Sequence, residues 1–431
     1  MKQPIRTVLR DIEWNRGYAS FACAILTMVL MPVYFWFLPP VMILWGISWI
    51  LENRKHMKQV LIRDQTVLIL FILFIAFFAW QLAGMIYSDN ADTGWRKLTI
   101  RFSLVLFPLI LLSPGEMILK SRKYLLQIFA GSTFFYILFC FCNAFVKSLN
   151  FYEGTWTFNP HPVQEYWLNY FYGSYFSAIH HPSYLSMYVL LSALIAFEFW
   201  YDHSLGKGFR LILLIMGVLL LGSLYFLSSR AGLVAVVLII PTYFFIKYRK
   251  KGIWQISWLA ILMFTIGALL VIRTNDRMQK FMKDLAQKSI SEIVQTDERS
   301  IIWKTSIKII RDHYLWGLGT GDVEAKLVDE YLRSGNVSLA ERKMNTHNQY
   351  FEVILENGII GLALFLAIFG CMLYLAWKEK EVLFGVYILM MLLFFMFETM
   401  LNRFAGVSFF ALFSFLLLNN NSNVRVVARG L

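Results

Sequence analysis

The chain has 431 residues, of which 58% are hydrophobic and only 16% charged, with a formal net charge of +13. A soluble domain is closer to a quarter charged, which excludes an ordinary water-soluble globule. The four cysteines (Cys23, Cys140, Cys142 and Cys371) all stand in apolar runs without metal-ligand spacing; this argues against disulfide or zinc frameworks and leaves them as small hydrophobic residues.

Apolar runs of roughly 17 to 25 residues, the length a helix needs to cross hydrocarbon, recur from end to end. Hydropathy and length place spans at about 17–33, 35–51, 66–87, 98–113, 124–146, 181–200, 209–227, 231–247, 253–272, 350–377, 381–399 and 404–418. The expected fold is all-α, a polytopic membrane bundle of about twelve transmembrane helices. Pro32, Pro39 and Pro40 fall inside the first pair. The lead Met1–Arg16 is long and polar, and no small-residue cleavage site follows the first run, so no cleavable signal peptide is expected. The organisation reads as membrane helices over 1–272 with an aromatic outer loop at 147–180, a large outer loop at 273–349, and three helices with a short tail over 350–431.

Basic residues cluster at Lys2–Arg16, Glu52–Arg63, Leu119–Lys123, Lys247–Lys251 and Lys378–Lys380. With about twelve spans these all fall on one face together with the C-terminal tail, the positive-inside pattern, so both termini are expected in the cytoplasm. The basicity therefore reports topology, and no nucleic-acid partner is expected. No internal repeat is visible, which disfavours transporters built from repeated halves.

Two segments on the opposite face are too long for simple connectors. In 147–180 the aromatics suit either stacking on sugar rings or an interfacial belt. In 273–349, Asp276–Gln295 and Glu298–Tyr314 both read as amphipathic helices. In the second, Trp303, Ile307 and Ile310 form one side, and Lys304, Lys308 and Arg311 the other. Gly317–Asp322 makes a turn and Val323–Arg333 a short helix. No strand precedes the glycine run, so it is not a nucleotide fingerprint.

Thr346–Gln349 has the form of a capping box, which places His347 in the first turn of the next span. The helix dipole keeps an imidazole there neutral, a competent general base; the alternative is a surface histidine at a helix end. Gly358 and Gly361 share one helix face that a neighbouring helix can approach closely. Arg230, Arg101 and Arg403 stand at or near the outer ends of spans, as does Glu398, and Arg299 begins the amphipathic loop helix. Gathered arginines suit a phosphate or diphosphate; the simpler reading is snorkelling with an Arg230–Glu398 pair. His180 and His181 open the sixth span, as site-lining or interfacial residues. The outer carboxylates form no Asp-x-Asp and no metal-spaced pair, which argues against a metal-dependent sugar-nucleotide transferase.

These residues resemble the O-antigen ligase and O-antigen polymerase superfamily. The ligase pattern is His, then Asn, Ser or Gln, nine residues, Gly, two residues, then Gly, Thr or Tyr. His347, Asn348, Gly358 and Gly361 fit it. Ser228–Gly232 followed by a span is similar to the family's first arginine site, at Arg230. Glu298–Gly321 is similar to the start of its large outer loop, with Arg299, Trp303 and the Gly317–Gly321 turn; Tyr314 stands where members typically have proline. By motif the likeness runs from Leu227 to Gly370.

The resemblance implies a metal-independent, inverting glycosyltransferase without cofactors, in the bacterial inner membrane with its active site at the periplasmic face. Its donor would be a glycan on undecaprenyl diphosphate and its acceptor a lipid A–core sugar hydroxyl. His347 would be the catalytic base and Arg230 and Arg299 the diphosphate ligands, with Asn348, Arg101 and His181 in support. An O-antigen polymerase, or a ligase acting on protein or another glycan, fits the same motifs. A transporter or flippase of lipid-linked sugars is the rival of another class; it expects midplane charges and broken helices facing a cavity.

Overall fold

The computed structural model describes residues 17–53, 65–161, 169–248 and 298–418. The expected ninth span, the Asp276–Gln295 helix and both termini lie outside the described residues. What is described is mostly helical. Helices α1 (Tyr18–Val33) and α2 (Leu38–Asn53) form a hairpin around a 3-10 turn at Phe35–Phe37. Pro39 and Pro40 are tolerated because they sit in the first turn of α2, where backbone N–H groups have no intrahelical acceptor. Then follow α3 (Gln65–Ala83), α4 (Ala91–Arg101), α5 (Ser103–Leu112) and α6 (Glu116–Ser148). The expected fourth span is thus divided at Phe102, with a polar leading part, α4, capped by Asn90.

After α6 the chain forms a hairpin that the sequence reading did not anticipate. Strands β1 (Leu149–Tyr152) and β2 (Thr155–Phe158) pair antiparallel across a two-residue turn. Glu153 and Gly154 both have positive φ, as such a turn requires. The short α7 (Gly173–Ser177) leads to α8 (Pro182–Trp200), α9 (Lys207–Leu227) and α10 (Arg230–Tyr248). The outer loop contributes α11 (Glu298–His313), α12 (Val323–Arg333) and α13 (Val337–Glu341). The last membrane helices are α14 (Gln349–Glu379), α15 (Val382–Phe397) and α16 (Phe404–Leu416).

Among the described residues seven helices are long and apolar enough to cross a membrane, and α1, α15 and α16 are shorter apolar helices. This is a multi-span membrane protein, although the count does not reach about twelve. Helix α8 is 89% buried; apolar all round, it takes the centre of the bundle, against α6, α9, α10 and α15. Contacts at one end join Glu52 to Ser20, Trp49 to Ser113, Arg122 to Leu417, Lys123 to Asp202 and Lys247 to Glu198. These contacts set the described basic residues Arg122, Lys123 and Lys247 at one end of the bundle.

At the other end, α14 corrects the expected tenth span. Gly358 interrupts it with φ 63° and ψ −165°, a region essentially reserved for glycine. What approaches this glycine is the turn after α11, not a neighbouring helix. Leu318 N–H donates to Leu355 O at 2.7 Å, Gly319 N–H to Glu356 O at 3.1 Å, and Ile359 N–H to Tyr314 O at 2.8 Å. Trp80 of α3 donates to Asn357 O at 2.9 Å. The carbonyls of Leu355, Glu356 and Asn357 and the N–H of Ile359 thus regain partners across the break. Beyond it, Ile359–Glu379 runs about 30 Å, enough to span by itself. Gly361 lies against Trp80 and Asn357.

A Cβ on Gly358 would sit 2.1 Å from Leu315 O. Gly358→Ala is therefore expected to destabilise the protein by about 2 kcal/mol or more, read as a lowered thermal midpoint in detergent. An unchanged midpoint would mean that the break is not required.

Candidate active site

The outer loop reaches α14 through α11. The buried stripe of α11 is Ile302, Ser306 and Ile309, one position away from the expected Trp303–Ile307–Ile310 side, and Ile307 is exposed. The stripe packs with Leu355 of α14 and with Val323, Leu327 and Tyr331 of α12. Trp303 is partly buried and donates from Nε1 to Thr346 O at 3.1 Å.

The expected capping box gives way to a different cap. Asn348, not Thr346, is the N-cap of α14, its Oδ1 accepting from Tyr350 N–H at 2.9 Å and Phe351 N–H at 3.2 Å. His347 consequently lies outside the helix, before its first turn, so the dipole argument for its place in that turn does not apply. Its φ is +47°, in the left-handed region, which costs a non-glycine residue about 1–3 kcal/mol and needs support from its surroundings. Asn345 supplies part of it, its Oδ1 accepting from His347 N–H at 3.0 Å.

This backbone turn aims the imidazole at Glu398, which follows α15. His347 Nδ1 is 3.2 Å from Glu398 Oε2. Burial alone pushes the Glu398 carboxyl up, but His347, His181 and Arg299 outweigh it and hold the group below the usual value. An ionised carboxylate only accepts, so the Nδ1 proton belongs to the histidine. Arg299, at the start of α11, places Nη2 3.7 Å from Glu398 Oε1 and its guanidinium 5.9 Å from the centre of the Phe397 ring.

The remaining candidates divide clearly. His181 is the N-cap of α8, with Nδ1 accepting from Ser183 N–H at 3.3 Å, and is exposed on the Glu398 side. Ser183 Oγ is 3.3 Å from Glu398 Oε1 and 3.4 Å from Ser229 Oγ. Ser229 immediately precedes Arg230, which opens α10 with an exposed side chain at the rim of the same cluster. His180 is turned away: its Nε2 donates to Pro32 O at 2.8 Å, and it packs against Phe35, Tyr136 and Tyr188. Burial pushes its imidazolium down to about 4, so it is neutral at physiological pH.

Arg101 lies in a second, fully buried cluster beneath the site. It holds Glu356 bidentately at 2.6 and 2.9 Å and also meets Gln81, Asn402 and Leu401 O. Lys97 donates to Glu356 at 2.6 Å and Glu352 at 3.3 Å. Two cations and two carboxylates thus balance in a dry interior, where removing one partner costs about 3–5 kcal/mol. Sequence reasoning missed Lys97, Glu352 and Glu356, and named Glu398 only as a counter-charge for Arg230. The signal was present: Glu352 and Glu356 stand one turn apart in an apolar helix, and carboxylates there require partners. Among the described residues no group of three or more His, Cys, Asp or Glu is arranged to hold a metal ion.

Residues 215–366 match the family model described as O-antigen ligase. The match contains Arg230, Arg299, His347 and both glycines, and supports the superfamily that the motifs resemble. No curated protein matches the chain.

The lowered Glu398 carboxyl carries a pH signature. Its pairing stabilises the fold above the ordinary glutamate value of 4.5, and this contribution is lost as pH falls through the lower native value. The difference in thermal midpoint between wild type and Glu398→Gln should shrink as pH falls below the ordinary glutamate value. A difference that persists undiminished in strong acid would contradict the pairing.

Proposed function

We propose that this protein, of the O-antigen ligase superfamily, transfers a glycan from undecaprenyl diphosphate to a sugar hydroxyl of lipid A–core. The reaction would take place at the periplasmic face of the inner membrane, the face that carries His347. What supports this reading is the Glu398–His347 pair with Arg299 beside it: an imidazole whose Nδ1 faces a carboxylate, next to a guanidinium, at the end of the bundle opposite Arg122, Lys123 and Lys247.

The acceptor hydroxyl attacks the anomeric carbon as the bond from that carbon to the diphosphate oxygen breaks. His347 Nε2 takes the hydroxyl proton, and Glu398 stabilises the imidazolium that forms. The diphosphate leaves with both electrons of the broken bond, and Arg230 and Arg299 meet its growing charge. A single displacement inverts the anomeric centre. With the leaving-group charge met by guanidinium, the proposal invokes no metal or cofactor. His181 lines the acceptor side, and Asn348 holds His347 in register by capping α14.

The rival transporter reading expects broken helices around a central cavity. The break in α14 is instead filled by the outer-loop turn, and the charges beneath it are paired to one another, which favours the enzyme.

The test uses purified protein, lipid-diphosphate glycan and lipid A–core in excess chelator. Wild type should transfer, His347→Ala should lose about 10²–10⁴-fold, and Arg230→Ala and Arg299→Ala should lose activity with the folded protein intact. Donor glycans that join to one another while lipid A–core stays unmodified would make the protein a polymerase. Activity that survives His347→Ala would remove His347 as the base.

A further inference from the structure

Of the two buried carboxylates on α14, Glu356 is consumed by Arg101 and Lys97. Glu352 has a different pattern of partners. Its Oε2 is 2.9 Å from Thr346 Oγ1, and its Oε1 accepts from Asn402 Nδ2 at 2.8 Å, with Lys97 Nζ at 3.3 Å. Thr346 directly precedes His347. Asn402 closes the short 3-10 turn Met400–Asn402 that follows Glu398. One carboxylate therefore holds both chain segments that carry the His347–Glu398 pair.

We infer that Glu352, acting through Thr346 and Asn402, is a positioning residue that sets the distance between His347 and Glu398. The pair needs such a device because its members come from distant parts of the chain and neither sits within a helix. His347 lies in a left-handed turn ahead of α14, and Glu398 is extended beyond the end of α15. A second tie runs parallel, Gln349 Oε1 accepting from Leu401 N–H at 2.8 Å. Glu352 is 2% exposed and Thr346 fully buried, so water does not replace either contact. Lys97 Nζ, 3.3 Å away, offsets the carboxylate's charge. The Thr346 hydroxyl also lies 3.0 Å from Asn348 O, which links the tie to the residue that caps the helix.

This inference rests on the reading of His347 as the base, so its test needs a readout that works without turnover. Full-length protein with 15N-labelled histidine, the His347 signals assigned against His347→Ala, reports the Nδ1 hydrogen bond to Glu398 in the absence of substrate. Thr346→Val removes the hydroxyl while keeping shape and charge balance, Thr346→Ser restores it, and Glu352→Gln removes the charge. In Thr346→Val the Nδ1 resonance should move toward that of an unpaired imidazole. With lipid-linked donor and acceptor, its kcat should fall about 10-fold with KM little changed, since the interaction lost is one made in the transition state. Thr346→Ser should return both readouts, and Glu352→Gln should reproduce the loss.

Folded Thr346→Val protein with an unmoved Nδ1 resonance and unchanged kcat would overturn the inference. So would a loss confined to KM. A moved resonance in protein whose wild type performs no transfer would uphold the positioning role and reject the reaction.

Discussion

An apolar helix that carries two carboxylates cannot enter a bundle alone. Glu352 and Glu356 oblige α14 to meet Lys97 and Arg101, and that meeting fixes α4 against α14 with little freedom, because bidentate guanidinium–carboxylate geometry tolerates few alternatives. Asn402 joins the same network from the segment between α15 and α16. Three parts of the chain are thereby brought to a common point, directly beneath His347. A buried ion pair is a poor device for raw stability but a good one for specifying a single arrangement. Here the arrangement it specifies is that of the residues above it.

The surface above the network has the opposite electrostatic character. Below, charges are matched, dry and saturated with partners. Above, Arg299 and Arg230 border a histidine and a single buried carboxylate, with His347 partly exposed. Short polar links through Ser183 and Ser229 join Glu398 to the start of α10, where Arg230 stands. The same carboxylate that orients His347 restrains Arg299, so one group keeps base and cation in a common frame.

The multi-span helical character was legible because length and hydropathy are properties of composition. The fourth run is nevertheless divided at Phe102, and seven described helices, not about twelve, are long and apolar enough to span. The break in α14 was not legible. Inside a helical apolar pattern a glycine reads as a packing residue, and only the turn at 314–319 turns Gly358 into an interruption. The cap was misread for a related reason: Thr346 and Asn348 both offer capping side chains, and tertiary contacts to Glu352 and Trp303 claim the first for another purpose. The burial register of α11 slipped by one position because its buried face meets Leu355 rather than lipid. His347, Arg230 and Arg299 were legible as motif residues. Glu398 was visible as a charge at a span end, but its pairing with His347 depends on a backbone turn that local pattern does not encode.

The turn that fills the break in α14 precedes that helix in the chain, and Trp80, which holds the same break, precedes both. During synthesis from the N-terminus these hydrogen-bonding partners are made before Gly358. The carbonyls of Leu355, Glu356 and Asn357 thus emerge after the groups that will bond them. The order of the elements along the chain is itself part of how an interrupted helix becomes tolerable in a membrane, and a circular permutation opened between the turn and α14 would forfeit it.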